Sequence, residues 1–274
     1  MDTSILKIIK GRKSVRTFDG RSINSEDMLH LEQYASTITN PFDIPVRFVF
    51  LDAKEYGLSS PVLSGETMYV AGAAVKKPYA DVAFGFSFEK LVLYAWSLGI
   101  GTTWIGGTMK REVFEKAAHL MDNEFMPCVS PLGYPAKKRS LKETMMRKGV
   151  GADSRMPVDK LFFENNWSNP LSEDKQKEIV NLAEIVRWAP SAVNKQPWRF
   201  VISGNAFHVY VKHDKNYISE KTGDLQKVDV GIALCHLVLG LEEQAEQPEI
   251  VIDNPSFTIP GEAEYVATVK RSFK

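Results

Sequence analysis

The pentapeptide Pro45-Val46-Arg47-Phe48-Val49 returns 152 residues later as Pro197-Trp198-Arg199-Phe200-Val201. Ser25-Glu26-Asp27 returns after 147 residues as Ser172-Glu173-Asp174, and Gly85-Phe86-Ser87-Phe88-Glu89-Lys90-Leu91-Val92-Leu93 returns after 146 residues as Gly231-Ile232-Ala233-Leu234-Cys235-His236-Leu237-Val238-Leu239. Each match is short, but all three keep their order at nearly one spacing, which is the pattern of a diverged tandem duplication. The 274 residues therefore read as two copies of one unit, 1–150 and 151–274, rather than as two unrelated domains.

Each half then reads as helix, strand, helix, strand. Ser25 and Ser172 are N-cap candidates followed by acidic first turns, opening helices through about Ser36 and Trp188. Val46 to Leu51 and Trp198 to Ser203 are rich in β-formers, and Ser203-Gly204-Asn205 suits a hairpin turn into Phe207 to Lys212. Phe86 to Leu98 and Val228 to Gln244 are apolar on most faces, so both helices should be central and buried. Pro127 to Tyr134 and Glu264 to Lys270 supply later strands. Without strict βαβ alternation, an α+β, helix-wrapped sheet is preferred to a doubly wound parallel one.

Charge narrows the partners. Lys plus Arg and Asp plus Glu are 34 each, which leaves no global field to attract nucleic acid or an anionic membrane. Leu91 to Met109 is 19 residues without a charge, close to a membrane span, but its four glycines break it into a helix ending near Leu98 and a short β-like piece, Thr102 to Ile105. Lys7, Lys10, Arg12 and Lys13 come too early for the apolar core of a signal peptide, so the expected compartment is the cytoplasm. Cys128 and Cys235 have no metal or redox spacing and read as buried free thiols. The five histidines lack metal spacing too, and no metal site is expected.

Two segments could carry chemistry. Arg12-Lys13-Ser14-Val15-Arg16 follows a helical pattern and packs three cations and a hydroxyl into five residues, a set that suits a phosphate dianion, although such a run is also an ordinary solvated face. Ala189-Pro190-Ser191-Ala192-Val193-Asn194-Lys195-Gln196-Pro197-Trp198 ends a helix at one proline and enters a strand at the next. Its amides and hydroxyl could satisfy the polar edge of a flat heterocycle, or could cap the turn's own backbone.

Together these residues resemble the FMN-dependent nitroreductase family. RKSVR near the N-terminus, APSAVNKQPW before a strand, LGIGTTWIGG after a long helix and SPLGYPAKKR after a strand are similar to its signatures, most closely to those of its tandem-duplicated branch. The resemblance covers nearly the whole chain. It implies an α+β nitroreductase-like fold in which two diverged repeats, the first with the phosphate motif and the second with the turn, intertwine as an intramolecular pseudo-dimer, helices surrounding mixed, mainly antiparallel sheets. It also implies FMN, with Arg12, Lys13, Ser14 and Arg16 at its phosphate, Pro190, Ser191, Ala192 and Asn194 along the ribityl and ring, Ile105, Gly106 and Gly107 close to the flavin, and Lys137 and Arg139 as further phosphate partners.

The implied activity is ping-pong oxidoreduction, with NADH or NADPH as reductant and a nitroaromatic, a quinone or a similar small molecule as acceptor, and no side-chain acid or base is required. A flavin store or electron carrier without turnover is the alternative. A degenerate paralogue that binds nothing is opposed by the retained Arg12, Ser14, Ser191 and Asn194. The first half has Phe42 and Ile44 where the second has Asn194 and Gln196, while the second half replaces the phosphate cluster by the lone Arg155. One complete site per chain is expected, combining the first half's motif with the second half's turn. The chain should then need no partner to hold its cofactor, with further self-association open.

Overall fold

A computed structural model describes residues 4–272. In chain order it contains helices α1 (Ile5–Gly11), α2 (Ser25–Thr37), α3 (Ala80–Ser97), α4 (Arg111–Ala117), α5 (Leu141–Gly149), α6 (Glu173–Arg187) and α7 (Leu225–Glu243). The strands are β1 (Val46–Asp52), β2 (Met68–Val75), β3 (Glu124–Phe125), β4 (Val129–Leu132), β5 (Phe162–Glu164), β6 (Trp198–Ser203), β7 (Ala206–Lys212), β8 (Ile218–Ser219), β9 (Gly223–Asp224), β10 (Glu249–Val251) and β11 (Ala263–Lys270). The fold is α+β, with one large sheet drawn from each half of the chain and a small antiparallel pair, β8–β9, in the second half.

In the first sheet β2 pairs antiparallel with β1 on one side and with β3 and β4 on the other. The second has the order β10-β11-β7-β6-β5, antiparallel except for the β5–β6 pair. Its β6-β7-β11 core repeats the β1-β2-β4 arrangement, and α6 and α7 flank β6 and β7 in sequence as α2 and α3 flank β1 and β2. In these elements both halves thus share the order helix, strand, strand, helix, strand.

That order corrects the expected one in the first half, where β2 was not foreseen. Its sequence, Met-Tyr-Val-Ala-Gly-Ala-Ala-Val, has few β-branched residues. The small residues are explained from above: a Cβ on Gly72 would meet the rings of Phe84 and Phe88 at 2.7 and 2.8 Å. A second correction concerns α2, whose N-cap is Asn24, its side chain accepting from Asp27 N, rather than Ser25. Ser172 caps α6 as expected.

The core lies where α3 crosses α7. Both helices are buried along nearly their whole length, and their contact is reciprocal. A Cβ on Gly85 would fall 2.0 Å from the carbonyl oxygen of Val228, and one on Gly231 would fall 2.1 Å from that of Val82. Residues 82 and 85 stand 146 before 228 and 231, the spacing of the repeated sequence itself. Among the described residues no helix is long and apolar enough to cross a membrane. Cys128 and Cys235 are buried and free, and burial pushes both thiols upward.

Candidate functional site

Past the end of α1 the chain runs extended beside Gly101-Thr102, with Ser14 bridged to Thr102 and Val15 N donating to Thr102 O at 2.9 Å. The approach requires Gly101, whose Cβ would lie 2.8 Å from a Val15 methyl. This path sends Arg12 inward and leaves Lys13 exposed. Arg12 is 6% exposed, and among the described residues its Nε and Nη1 have no hydrogen-bond partner. Burial lowers its proton affinity, with Glu89 pulling the other way and Arg147 adding to the fall.

Other guanidiniums converge on it. Arg16 is lowered by burial and by Arg147 and Arg12, against the attraction of Glu143. Arg147, 8% exposed on α5, is paired with Asp153 at 2.5 Å. Arg155 lies with its guanidinium 4.5 Å from the centre of the Trp188 ring. It is lowered to about 10, first by burial and then by the positive charge of Arg12, with Asp153 opposing. Arg155 Nη1 donates to the carbonyls of Ala152 and Ser154, while its Nε is buried without a partner. α5 is held to this cluster by Glu143, which accepts from Thr17 Oγ1 at 2.8 Å and from Arg16 N at 3.3 Å.

The Pro190–Gln196 turn sits against the same segment. Asn194 Nδ2 donates to Gly151 O at 2.8 Å and Ser154 O at 3.1 Å, so the turn and Arg155 share one short stretch of chain. Gln196 Oε1 accepts from Met156 N, and Ser191 Oγ accepts from Gln196 N. The side chains of Ser191, Asn194 and Gln196 thus serve backbone groups of the turn and of the 151–156 segment. Val193, Asn194 and Gln196 have φ of 44°, 60° and 50°. Left-handed geometry is costly for a β-branched residue, and Val193 is nevertheless 59% exposed, so its side chain does not repay it by packing. Asp229 on α7 fixes the turn, both carboxylate oxygens lying 3.0–3.1 Å from Ala192 N. Burial pushes that carboxyl well above the usual carboxylate range.

Behind Arg12 lies a buried polar group unforeseen from sequence. Glu89 and His236 are both 0% exposed, with His236 Nε2 at 3.0 Å from Glu89 Oε1. His236 Nδ1 faces the Ile185 carbonyl at 3.0 Å and so carries a hydrogen. Nε2 and Oε1 then hold a single proton between them. Trp104 Nε1 donates to the other Glu89 oxygen at 3.2 Å, tying the Gly101–Gly107 segment to α3 and α7.

The remaining expected residues are more scattered. Ile105 is buried in a bridge with Val129. Gly106 offers its carbonyl to Arg111, a Cβ on it would lie 3.7 Å from Leu225 at the start of α7, and Gly107 is exposed. Lys137 is exposed, and Arg139 pairs with Glu143 at 3.5 Å, on the flank of the cluster rather than inside it. The structure therefore joins Arg12, Arg16, the Asn194 turn and two guanidiniums, of Arg147 and Arg155, that the sequence motifs did not single out as site residues. Among the described residues no cluster able to hold a metal ion occurs.

Residues 4–241 match the family described as "Putative TM nitroreductase". The chain belongs to that family. A crystal structure from Thermotoga maritima, described as a "putative nitroreductase", superposes with a TM-score of 0.65 at 22% identity, covering 98% of this chain and 94% of that one. At that identity the likeness establishes the nitroreductase fold over the whole molecule. A nitroreductase crystallised with bound FMN from Bacteroides fragilis covers 51% of this chain and 92% of its own, at 19% identity and a TM-score of 0.42. No curated protein matches the sequence. Membership in the nitroreductase family places the chain among oxidoreductases that act on small molecules.

Proposed function

We propose that this nitroreductase-family chain is an FMN-dependent NAD(P)H oxidoreductase, with the FMN phosphate at Arg12, Ser14 and Arg16 and the flavin between the Pro190–Asn194 turn and the Ile105–Gly107 segment. The observation that carries this reading is Arg12 itself. A guanidinium buried without partners for two of its nitrogens is costly to maintain unless an anion completes it. The donor set fits a phosphate monoester: planar forks from Arg12 and Arg16, and a hydroxyl from Ser14. The bound cofactor supplies two-electron transfer from NADH or NADPH to a nitroaromatic, quinone or similar acceptor. The protein's own residues position it and hold charge against it. Glu89, shared by His236 and Trp104, keeps the Gly101–Gly107 segment seated on the central helices.

The same reading takes the two halves as fused copies of a dimer-forming ancestor, meeting across α3 and α7, a reading supported by the reciprocal glycine contacts. The purified protein should be yellow and release FMN rather than FAD on denaturation, and NADH or NADPH should bleach it anaerobically until an acceptor restores the colour. A colourless protein that takes up no added FMN overturns the assignment. A loaded protein that neither nucleotide bleaches overturns the turnover and leaves a flavin carrier.

A further inference from the structure

We propose that Arg155, from the second half of the chain, is the arm that meets Arg12 across a phosphate dianion, so that the anion clamps the two halves together; this rests on the phosphate reading above. The assignment comes from accounting for the charges in the cluster. Arg147 is paired with Asp153 at 2.5 Å, and Glu143, whose charge attracts Arg16, is paired with Arg139 at 3.5 Å. Among the described residues Arg12, Arg16 and Arg155 make no ion pair, and of these Arg12 and Arg155 carry buried nitrogens without partners. Glu89 attracts Arg12 without forming an ion pair with it, and its oxygens instead meet His236 and Trp104. The two guanidiniums with unpartnered buried nitrogens match the two charges of a phosphate monoester above its second ionisation.

Arg155 is also braced for such a role. Its face is stacked on Trp188 and Nη1 is spent on two carbonyls. The guanidinium is therefore fixed with Nε free, and little side-chain entropy remains to be lost on binding. Its neighbours Gly151 and Ser154 hold Asn194. An anion on Arg155 thus bears on the turn as well.

The test compares binding of inorganic phosphate, FMN and riboflavin to the full chain and to Arg155→Gln, by titration calorimetry and flavin fluorescence. Loss of one charge-assisted contact should weaken phosphate and FMN alike, by about tenfold to a hundredfold, and leave riboflavin unchanged. Equal FMN and phosphate affinities in the two proteins overturn the clamp while leaving the flavin reading intact. Phosphate binding that needs Arg155, in a wild-type protein that takes up no FMN, upholds the clamp and overturns the flavin reading. A readout on the wild-type chain guards against a variant that does not fold. Phosphate should protect Arg155 from phenylglyoxal, followed by peptide mass spectrometry, and equal modification with and without phosphate overturns the proposal.

Discussion

Gly85 and Gly231 are each the point at which one central helix touches the backbone of the other: Gly85 against the Val228 carbonyl, Gly231 against that of Val82. Neither contact can be relieved by turning a side chain. Gly85→Ala and Gly231→Ala should therefore each force α3 and α7 apart and cost at least about 3 kcal/mol, or roughly 6–12 °C in Tm. Gly149→Ala, where nothing lies within 4 Å, should change Tm little or raise it slightly. Thermal denaturation of the three variants checks this, and an unchanged Tm in either central variant would show that the helices do not meet there.

This crossing was half legible beforehand. The repeated Gly-led apolar runs marked the two helices as equivalent and central, but only their packing shows why the first residue of each run is glycine. The basic cluster around Arg12 was less legible. Arg12 and Arg16 stand in a recognisable run, whereas Arg147 sits four residues after Glu143 on a short polar helix, a spacing that reads as an ordinary surface pair. Arg155 stands alone in the sequence because Trp188, on which it stacks, comes 33 residues later and Arg12, whose charge it feels, 143 residues earlier. Glu89 and His236 were hidden for a related reason: each stands singly in an apolar helix, and the bond between them exists only after the helices cross.

The Glu89 carboxylate is the only group linking His236 to Trp104 among the described residues. Glu89→Ala leaves two buried donors or acceptors unsatisfied and should destabilise the chain by about 3–5 kcal/mol. Glu89→Gln keeps a group that can accept from Trp104 and should lose clearly less. Urea unfolding followed by tryptophan fluorescence measures both. Equal losses would mean that the carboxyl's bond to His236, and not its shape or its bond to Trp104, carries the stabilisation.

Asp81, at the start of α3, accepts from Asp224 N at 2.9 Å and is raised to about 6, chiefly by burial, with the Asp224 charge adding and that backbone bond opposing. A folded-state value above the unfolded one means that the native state holds the extra proton between about pH 4 and 6. The penalty on stability is therefore fully present above pH 6 and fades as the pH falls toward 4. Asp81→Asn, which can still accept from Asp224 N, should be more stable than the parent at pH 8 by a few degrees and should lose that advantage near pH 4. Melting curves across this range decide it, and an advantage that grows on acidification reverses the assignment.

The last expectation is stoichiometric. Two-fold symmetry in a dimer-forming ancestor gives two equal sites, and fusion lets each copy of a site drift separately. In this chain the differences all fall on one side. The second-half turn is anchored through Ala192 N to Asp229, and the position 146 residues earlier is Ala83, which offers no acceptor. The first-half turn is closed on itself, with Asn40 Nδ2 donating to Ile44 O and to Ser87 Oγ and its Oδ1 accepting from Phe42 N. Phe42 stacks on Tyr79 at 5.8 Å, filling the place where the other turn presents Asn194. The basic residues are not shared out either, because Arg155 stands close enough to Arg12 for their charges to repel. One FMN per chain should therefore saturate the protein, with binding unaffected by dilution to concentrations at which it is a monomer. Flavin absorbance against protein concentration, with mass measured by light scattering, tests both parts, and a ratio near two or a flavin lost on dilution to the monomer would contradict the single intramolecular site.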